Sequence, residues 1–433
     1  MKRILKKTFF VLSLLIIFTV IYSLIYNQPL RFRPRIMAYA KSVYSLNPSS
    51  PSPDQIILCP AENTSRSIRL NWRTSRQVEN GEVRYWKSDG SSEVPLTARA
   101  ELNVLYSPEL KSDRTVHRFS ATLNGLEPAT AYCYQVGDQA GGAWSEVKSF
   151  TTAPEKPTDF SFVYFGDTQA SPDEFGRLLE EVDNRYADTA LYLISGDLVE
   201  DGEWRYMWDA FAHSASPVFS RKLAAPALGN HDYKYQGGQG LKYLSGYFNT
   251  PDSGVPGLDK GRSYSFTYEN ACFIVLDSNY DLAGQSKWLE SQLAENYQAT
   301  FKIVMFHHPP YHPKKNRDSQ EIQKFWVPLF DKYGVDLVLN GHDHSYLRTK
   351  KMKNHHPVSM DEDGVIYVVS TACEKFYDFT ALPQAEIQFG GVLTYQRVSV
   401  ERNGSSGSRL TFKAFDRQHQ LKDEFILEKH GSE

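Results

Sequence analysis

At 433 residues the chain is too long for one ordinary domain and comfortable for two. Its 41% hydrophobic and 23% charged residues allow real cores and exclude a disordered polyelectrolyte. A formal net charge of −3, with no dense basic stripe, leaves no nucleic-acid-binding surface evident.

The chain opens with a basic stub, residues 1–8, carrying Lys2, Arg3, Lys6 and Lys7. Phe9 to Tyr26 is uncharged and mostly apolar, just long enough to cross a hydrocarbon core of roughly 30 Å. The apolar part of a secretory signal is shorter, about 7–15 residues, and soon meets a cleavage site. Here the A-x-A sequence Ala38-Tyr39-Ala40 lies far beyond the run. Residues 9–26 therefore read as a transmembrane signal anchor, a single pass in the cell membrane, with secretion after cleavage as the alternative. Arg31, Arg33 and Arg35 blunt the charge asymmetry that sets orientation. Even so, the short stub cannot hold a folded domain, so the large C-terminal part is expected outside the cytoplasm. Residues 27–54, Ser/Pro-rich over 42–53, form a juxtamembrane spacer. Cys59, Cys133, Cys272 and Cys373 are too dispersed for a disulfide scaffold or a cysteine zinc site. A Cys59–Cys133 bond and four buried thiols both stay open.

Residues 55–152 show short strands between turn signals, clearest over 67–72, 82–86, 117–123, 131–136 and 147–150. Alternation such as Ile68-Arg69-Leu70-Asn71-Trp72 gives each strand one apolar face. About a hundred such residues read as an all-β sandwich. Leu126, Pro128 and Tyr132 resemble the E–F corner of a fibronectin type III module, which implies that the Tyr132 hydroxyl bonds to backbone.

After a stiff Ala153–Pro157 linker the pattern changes. Apolar runs at 160–165, 190–194, 301–306, 335–339 and 365–369 fit strands covered on both faces. Helices are expected from Ser171, a capping-box residue followed by Pro172, to Tyr186, from Gln285 to Tyr297, and from Ser319 to Tyr333. Antiparallel strands follow Gly391. Residues 158–430 thus form an α/β domain.

Ligand-type residues fall just after these runs: Asp167, Asp197, Asn230-His231-Asp232, His307-His308 and His342-Asp343-His344, four of the clusters with a glycine. Open α/β sheets place their sites at such strand ends. Singly, each cluster is compatible with a turn or a helix cap; five in this order are not. Carboxylate, amide and imidazole donors suit Fe, Zn or Mn better than the all-oxygen shells of Mg or Ca.

The order D…GD…GNHD…H…GHxH resembles the calcineurin-like metallophosphoesterase superfamily, and with the sandwich before it a purple acid phosphatase. That resemblance implies two mixed sheets packed as a β-sandwich flanked by helices, two divalent or trivalent metal ions, and hydrolysis of a phosphate-ester substrate by a metal-activated hydroxide. It implies that Asp197 bridges the metals, Asp167 and His344 bind the first, and Asn230, His307 and His342 bind the second. His307 rather than His308 fits the family's H-x-P register. His231 would protonate the leaving group, oriented by Asp232, with His312 the second candidate. The sequence departs from the family twice. Glu200 stands where purple acid phosphatases carry a tyrosine ligand, and Gln169 where many members carry a histidine. Glu200, Gln169 or water could fill the vacated position. Asp277 reads as supporting structure, Trp204, Tyr206 and Trp208 as helix packing, and Glu374 and Tyr377 as possible pocket lining. Phosphomonoesters lead; a phosphodiesterase at the same site and a non-catalytic surface protein using the sandwich are the competing readings.

Overall fold

The computed structural model describes residues 47–429, apart from residues 92–93, 139–142, 234–238, 313, 315–316 and 404–406. The anchor expected over residues 9–26 lies outside the described residues. Among those described, no helix is long and apolar enough to cross a membrane. Contacts separate the loop Tyr106–Arg114 from a main body of Ser49–Leu105 and Thr115 onward. The loop closes on itself, Ser107 N donating to Arg114 O at 2.8 Å.

Within the main body, apolar runs become strands where the sequence places them, and the sheets they build are mixed. A ten-stranded sheet runs in the order Leu421–Lys429, Gly407–Asp416, Thr394–Asn403, Phe160–Phe165, Thr189–Ile194, Leu223–Pro226, Asp54–Pro60, Ile68–Ser75, Thr115–Leu123 and Glu101–Tyr106. A seven-stranded sheet holds Ala271–Val275, Phe301–Met305, Leu337–Asn340 and Ile366–Val369 as parallel neighbours, with antiparallel strands outside them. The two sheets face each other through one core, in which Phe162, Leu193 and Ala225 meet Phe273, Met305 and Leu339. Phe162 and Phe273 pack edge to face at 5.4 Å. Helices Pro172–Arg185 and Arg205–Phe219 cover one outer face, where Phe165, Phe175 and Phe211 pack in series.

The first helix begins as its sequence dictates, Ser171 Oγ accepting from Glu174 N at 3.4 Å. The second expected helix starts earlier, at Leu282, because the Asp281 carboxylate caps Gly284 N. The span 319–333 is two helices, Gln320–Phe325 and Val327–Tyr333, broken at Trp326. Pro328 has no N–H to give and its ring crowds the preceding turn, so it can only open a new helix. Trp208 is buried as expected and donates to Gly202 O at 3.0 Å.

The sandwich region contributes a four-stranded sheet, Leu96–Arg99, Glu82–Lys87, Ala131–Gly137 and Lys148–Thr151. Its corner forms as the resemblance implied, Glu127 N donating to Tyr132 Oη at 2.9 Å. Its other strands do something the sequence does not announce. Asp54–Pro60 pairs in parallel with Leu223–Pro226, Leu58 opposite Leu223, so the sandwich sheet continues the catalytic one. Buried charges lie where they join. Arg73 pairs with Asp54 at 2.6 Å and Asp209 at 3.2 Å, while Arg118 donates to Gln55 Oε1 at 2.8 Å and Gly246 O at 2.6 Å. All four cysteines are free thiols, and burial pushes Cys59 up to about 12.

Candidate metal centre

The C-terminal ends of the parallel strands from both sheets meet at one edge. There Asp167 bridges to Thr371 of the opposite sheet. Strand Phe160–Phe165 delivers Asp167, Thr189–Ile194 delivers Asp197, Leu223–Pro226 delivers Asn230, Phe301–Met305 delivers His307, and Leu337–Asn340 delivers His342 and His344. The turns are tight and strained. Asp197 (φ +50°), His342 (φ +75°) and His344 (φ +49°) adopt the left-handed region that non-glycine residues avoid, a cost of about 1–3 kcal/mol each. A Cβ on Gly229 would lie 2.1 Å from Asp197 Oδ1, and one on Gly341 2.1 Å from Asp167 Oδ1. Only glycine lets those carboxylates in.

The expected ligand residues converge. Donor atoms of Asp167, Asp197 and His307 lie within 4.8 Å of one another, as do those of His307, His308 and His342. His307 Nδ1 donates to Ser195 O at 3.0 Å, leaving Nε2 a bare lone pair that faces Asn230 Oδ1 at 3.2 Å, Asp197 Oδ2 at 3.4 Å and His342 Nδ1 at 3.0 Å. His344 Nδ1 likewise donates to Lys375 O at 2.6 Å, turning Nε2 toward Asp167 Oδ2 at 2.9 Å and the Gln169 amide at 2.9 Å. Gln169 Oε1 is buried without a hydrogen-bond partner, and Asp167 Oδ2 faces only the His344 imidazole. A buried carboxylate among imidazoles and an unanswered amide oxygen are costly unless other groups complete them.

Proton affinities reflect this crowding. Burial opposes charge on Asp167, but His344 and His307 hold it below the usual carboxylate range. Burial also works against protonated His307 and His344, yet the carboxylates beside them lift these to about 9 and about 11. His342, buried among imidazoles and Arg317, is held far below its ordinary value. A bound cation competes for these same lone pairs and reverses such shifts.

The neighbouring residues divide. His231 is one-fifth exposed, its backbone N–H held by Asp197 Oδ1 at 2.8 Å and its Nδ1 donating to Glu200 O at 2.7 Å. Asp232, expected to orient His231, does something else. Its Oδ1 accepts from Leu198 N at 2.9 Å and Val199 N at 3.3 Å, and its Oδ2 from Gly229 N at 2.9 Å. Both oxygens are engaged by backbone, so Asp232 ties two ligand turns together. Glu200 is partly exposed and paired with Lys375 at 3.3 Å, whereas Gln169 is buried against His344. His312 Nδ1 donates to Lys314 O at 3.0 Å. His308 Nδ1 meets Ser278 Oγ at 2.8 Å, and its ring packs 4.2 Å from His342. Asp277 is structural, buried against Arg262 at 3.0 Å.

Sequence reasoning missed Arg317, Lys314 and Lys375, while Tyr377, read there as pocket lining, does lie beside the cluster. The Tyr377 ring packs tilted at 4.4 Å from His344, and Lys314 Nζ sits 3.5 Å above Tyr377. The basic run directly after His307-His308-Pro309-Pro310-Tyr311-His312 was the available signal.

Residues 53–152 match the family described as purple acid phosphatase, N-terminal domain, and residues 160–346 match calcineurin-like phosphoesterase. The chain carries a calcineurin-like phosphoesterase domain. As a phosphoesterase of the purple acid phosphatase type, it is a hydrolase of phosphoric esters. It is 26% identical over 374 residues to purple acid phosphatase 23 of Arabidopsis thaliana, covering 74% of this chain and 79% of that one. It is 24% identical over 376 residues to the Fe(3+)-Zn(2+) purple acid phosphatase 12 of the same plant, covering 83% and 76%. The solved purple acid phosphatase PPD1 from yellow lupin (Lupinus luteus) seeds superposes with a TM-score of 0.70 at 18% identity, covering 88% of this phosphoesterase and 75% of that chain. That likeness concerns the fold.

Proposed function

We propose that this phosphoesterase hydrolyses phosphate monoesters at a dinuclear metal centre. Asp167, His344 and Gln169 would hold one ion, Asn230, His307 and His342 the other, and Asp197 both. The observation that carries the reading is the convergence of carboxylate, amide and imidazole side chains from five strand ends on one small volume. Gln169 is preferred over Glu200 for the position of the absent tyrosine. Rotating its amide exchanges O for N and turns Oε1 toward the ligand cluster, while Lys375 draws Glu200 away. Without tyrosinate, the protein should lack the purple charge-transfer colour. The donor set suits Fe, Zn or Mn, and a relative is named for the pair Fe(3+)-Zn(2+).

When bound, the ions lower the pKa of water toward neutrality and neutralise charge on the phosphoryl oxygens. The chain's residues do the rest. His231, its Nδ1 hydrogen committed to Glu200 O, offers Nε2 for proton transfer to the leaving oxygen. Asp232 keeps the turns of Asp197 and Asn230 in register.

The test is metal analysis together with hydrolysis of 4-nitrophenyl phosphate beside bis(4-nitrophenyl) phosphate. Asn230→Ala and His342→Ala should each lose bound metal and lower turnover at least about 100-fold while unfolding stays cooperative. Near-full activity in both variants would sink the site assignment. We also propose that residues 9–26 anchor the enzyme with its catalytic part outside the cytoplasm. The full chain should then need detergent for extraction and a chain starting at Ser49 should not; full-length protein free in the medium would refute the anchor.

A further inference from the structure

The segment after His307 and His308 places cations on both flanks of the ligand cluster. On one side, the Arg317 guanidinium lies with Nη1 against His342 Nε2 and donates through Nη2 to His342 O at 3.2 Å. Its Nε is 3.2 Å from Asp343 Oδ1. Asp343 is fully buried and neither of its oxygens has a hydrogen-bond partner, so the guanidinium is its charge compensation. On the other side, Lys314 caps Tyr377, which packs tilted against His344, and Lys375 pairs with Glu200. Lys314 and Lys375 both lie over the Tyr377 ring, their Nζ atoms 3.5 and 6.0 Å from its centre. Arg317 and Lys375 each answer one carboxylate, Asp343 and Glu200, and with Lys314 beside them the flanks still favour a further anion. Arg317 keeps its side chain about one-quarter exposed, open to such an anion.

We infer that Arg317 is a substrate-orienting residue, held by Asp343, that donates to a phosphoryl oxygen which monoesters carry free and diesters carry esterified. The inference rests on the phosphatase reading above. A monoester presents three unesterified phosphoryl oxygens and a diester two. A metal pair can neutralise two of them; only the monoester has a third to offer. A guanidinium fork suits that oxygen because it stays charged and donates in a fixed plane. In a diester the same place is taken by an alkoxy group, which accepts weakly and presses on the fork. Arg317 would thereby set the preference between the two ester classes, and Asp343 would act as its positioning residue.

The test uses the metal-loaded full chain and the variants R317A, R317K and R317A/D343N. The double variant matters because R317A alone leaves a buried carboxylate uncompensated. Loss of a charge-assisted hydrogen bond predicts a fall of about 10- to 100-fold in kcat/KM for 4-nitrophenyl phosphate. The value for bis(4-nitrophenyl) phosphate should stay within about threefold, since it makes no such bond. Affinity for inorganic phosphate, measured by calorimetry, should weaken in parallel with the monoester, at unchanged metal content. R317K should restore part of both. An active enzyme whose monoester-to-diester ratio and phosphate affinity are unmoved by R317A and by the double variant would overturn this inference alone. A wild-type protein that hydrolyses neither ester yet loses phosphate affinity on R317A would uphold the anion site and remove the phosphatase reading instead.

Discussion

Two clusters of buried charge lie in the main body of this protein, and they are built on opposite logic. At the junction of the sandwich and catalytic strands, Arg73, Arg118 and Asp209 are paired with groups of the chain itself. Asp209 accepts from Tyr247 Oη at 2.5 Å and lies 3.2 Å from Arg73. At the strand ends, donor atoms of Asp167, Asp197 and His307 crowd within 4.8 Å of one another, and three of the residues there sit in strained backbone. The junction uses charge to hold structure. The strand-end cluster instead gathers like donors at one point, which under the reading proposed above serves a bound ion. Neither burial nor unsatisfied atoms separate the two, since Arg73, Arg118 and Asp209 also have them; strained backbone and converging carboxylate and imidazole donors do.

Breaking each cluster should therefore give opposite phenotypes. The largest effect is expected for Asp167→Ala, which should lower kcat by about 100- to 1000-fold and release metal, with little change in the denaturant midpoint of the metal-free protein. Loss of cooperative unfolding instead would mean that Asp167 serves structure as the junction residues do. Asp209→Ala should do the reverse. Stranding the buried arginines should cost about 3–5 kcal/mol in urea unfolding, while activity per folded molecule is kept. The pH profile sharpens this contrast. Burial works against the Asp209 charge, but Arg73 and Arg205 hold its folded pKa below the ordinary value. Its contribution is thus present above the unfolded pKa of about 3.9 and disappears as pH falls through the lower folded value. Wild-type stability should decline over that acid range and the variant's should not follow. The smallest effect is expected for Tyr132→Phe within the sandwich, about 1 kcal/mol for one backbone hydrogen bond, with no change in kcat.

Much of the site could be read from sequence because its grammar is local. An apolar run, a glycine and a polar ligand residue are contiguous for Asp197, Asn230 and His342, and strand-end placement follows from periodicity alone. The Ser171 cap and the Tyr132 corner were readable for the same reason, since each partner lies within five residues. The break at Trp326 was also local, signalled by Pro328, but helical spacing across 319–333 concealed it. Asp232 was misjudged because adjacency to His231 in sequence carries no information about where a carboxylate points once the turn closes. Its three backbone donors come from two separate strand ends.

The sequence by itself determined which residues sit at the strand ends, the α/β character after residue 158 and the sandwich before it, because these depend on hydrophobic periodicity and turn chemistry over a few residues. Only the tertiary structure decided that Asp54–Pro60 continues the catalytic sheet, that Gln169 rather than Glu200 faces His344, and that Arg317 is braced by Asp343. Those outcomes depend on register between distant strands and on buried charges choosing partners far along the chain, and neither leaves a local trace in composition or spacing.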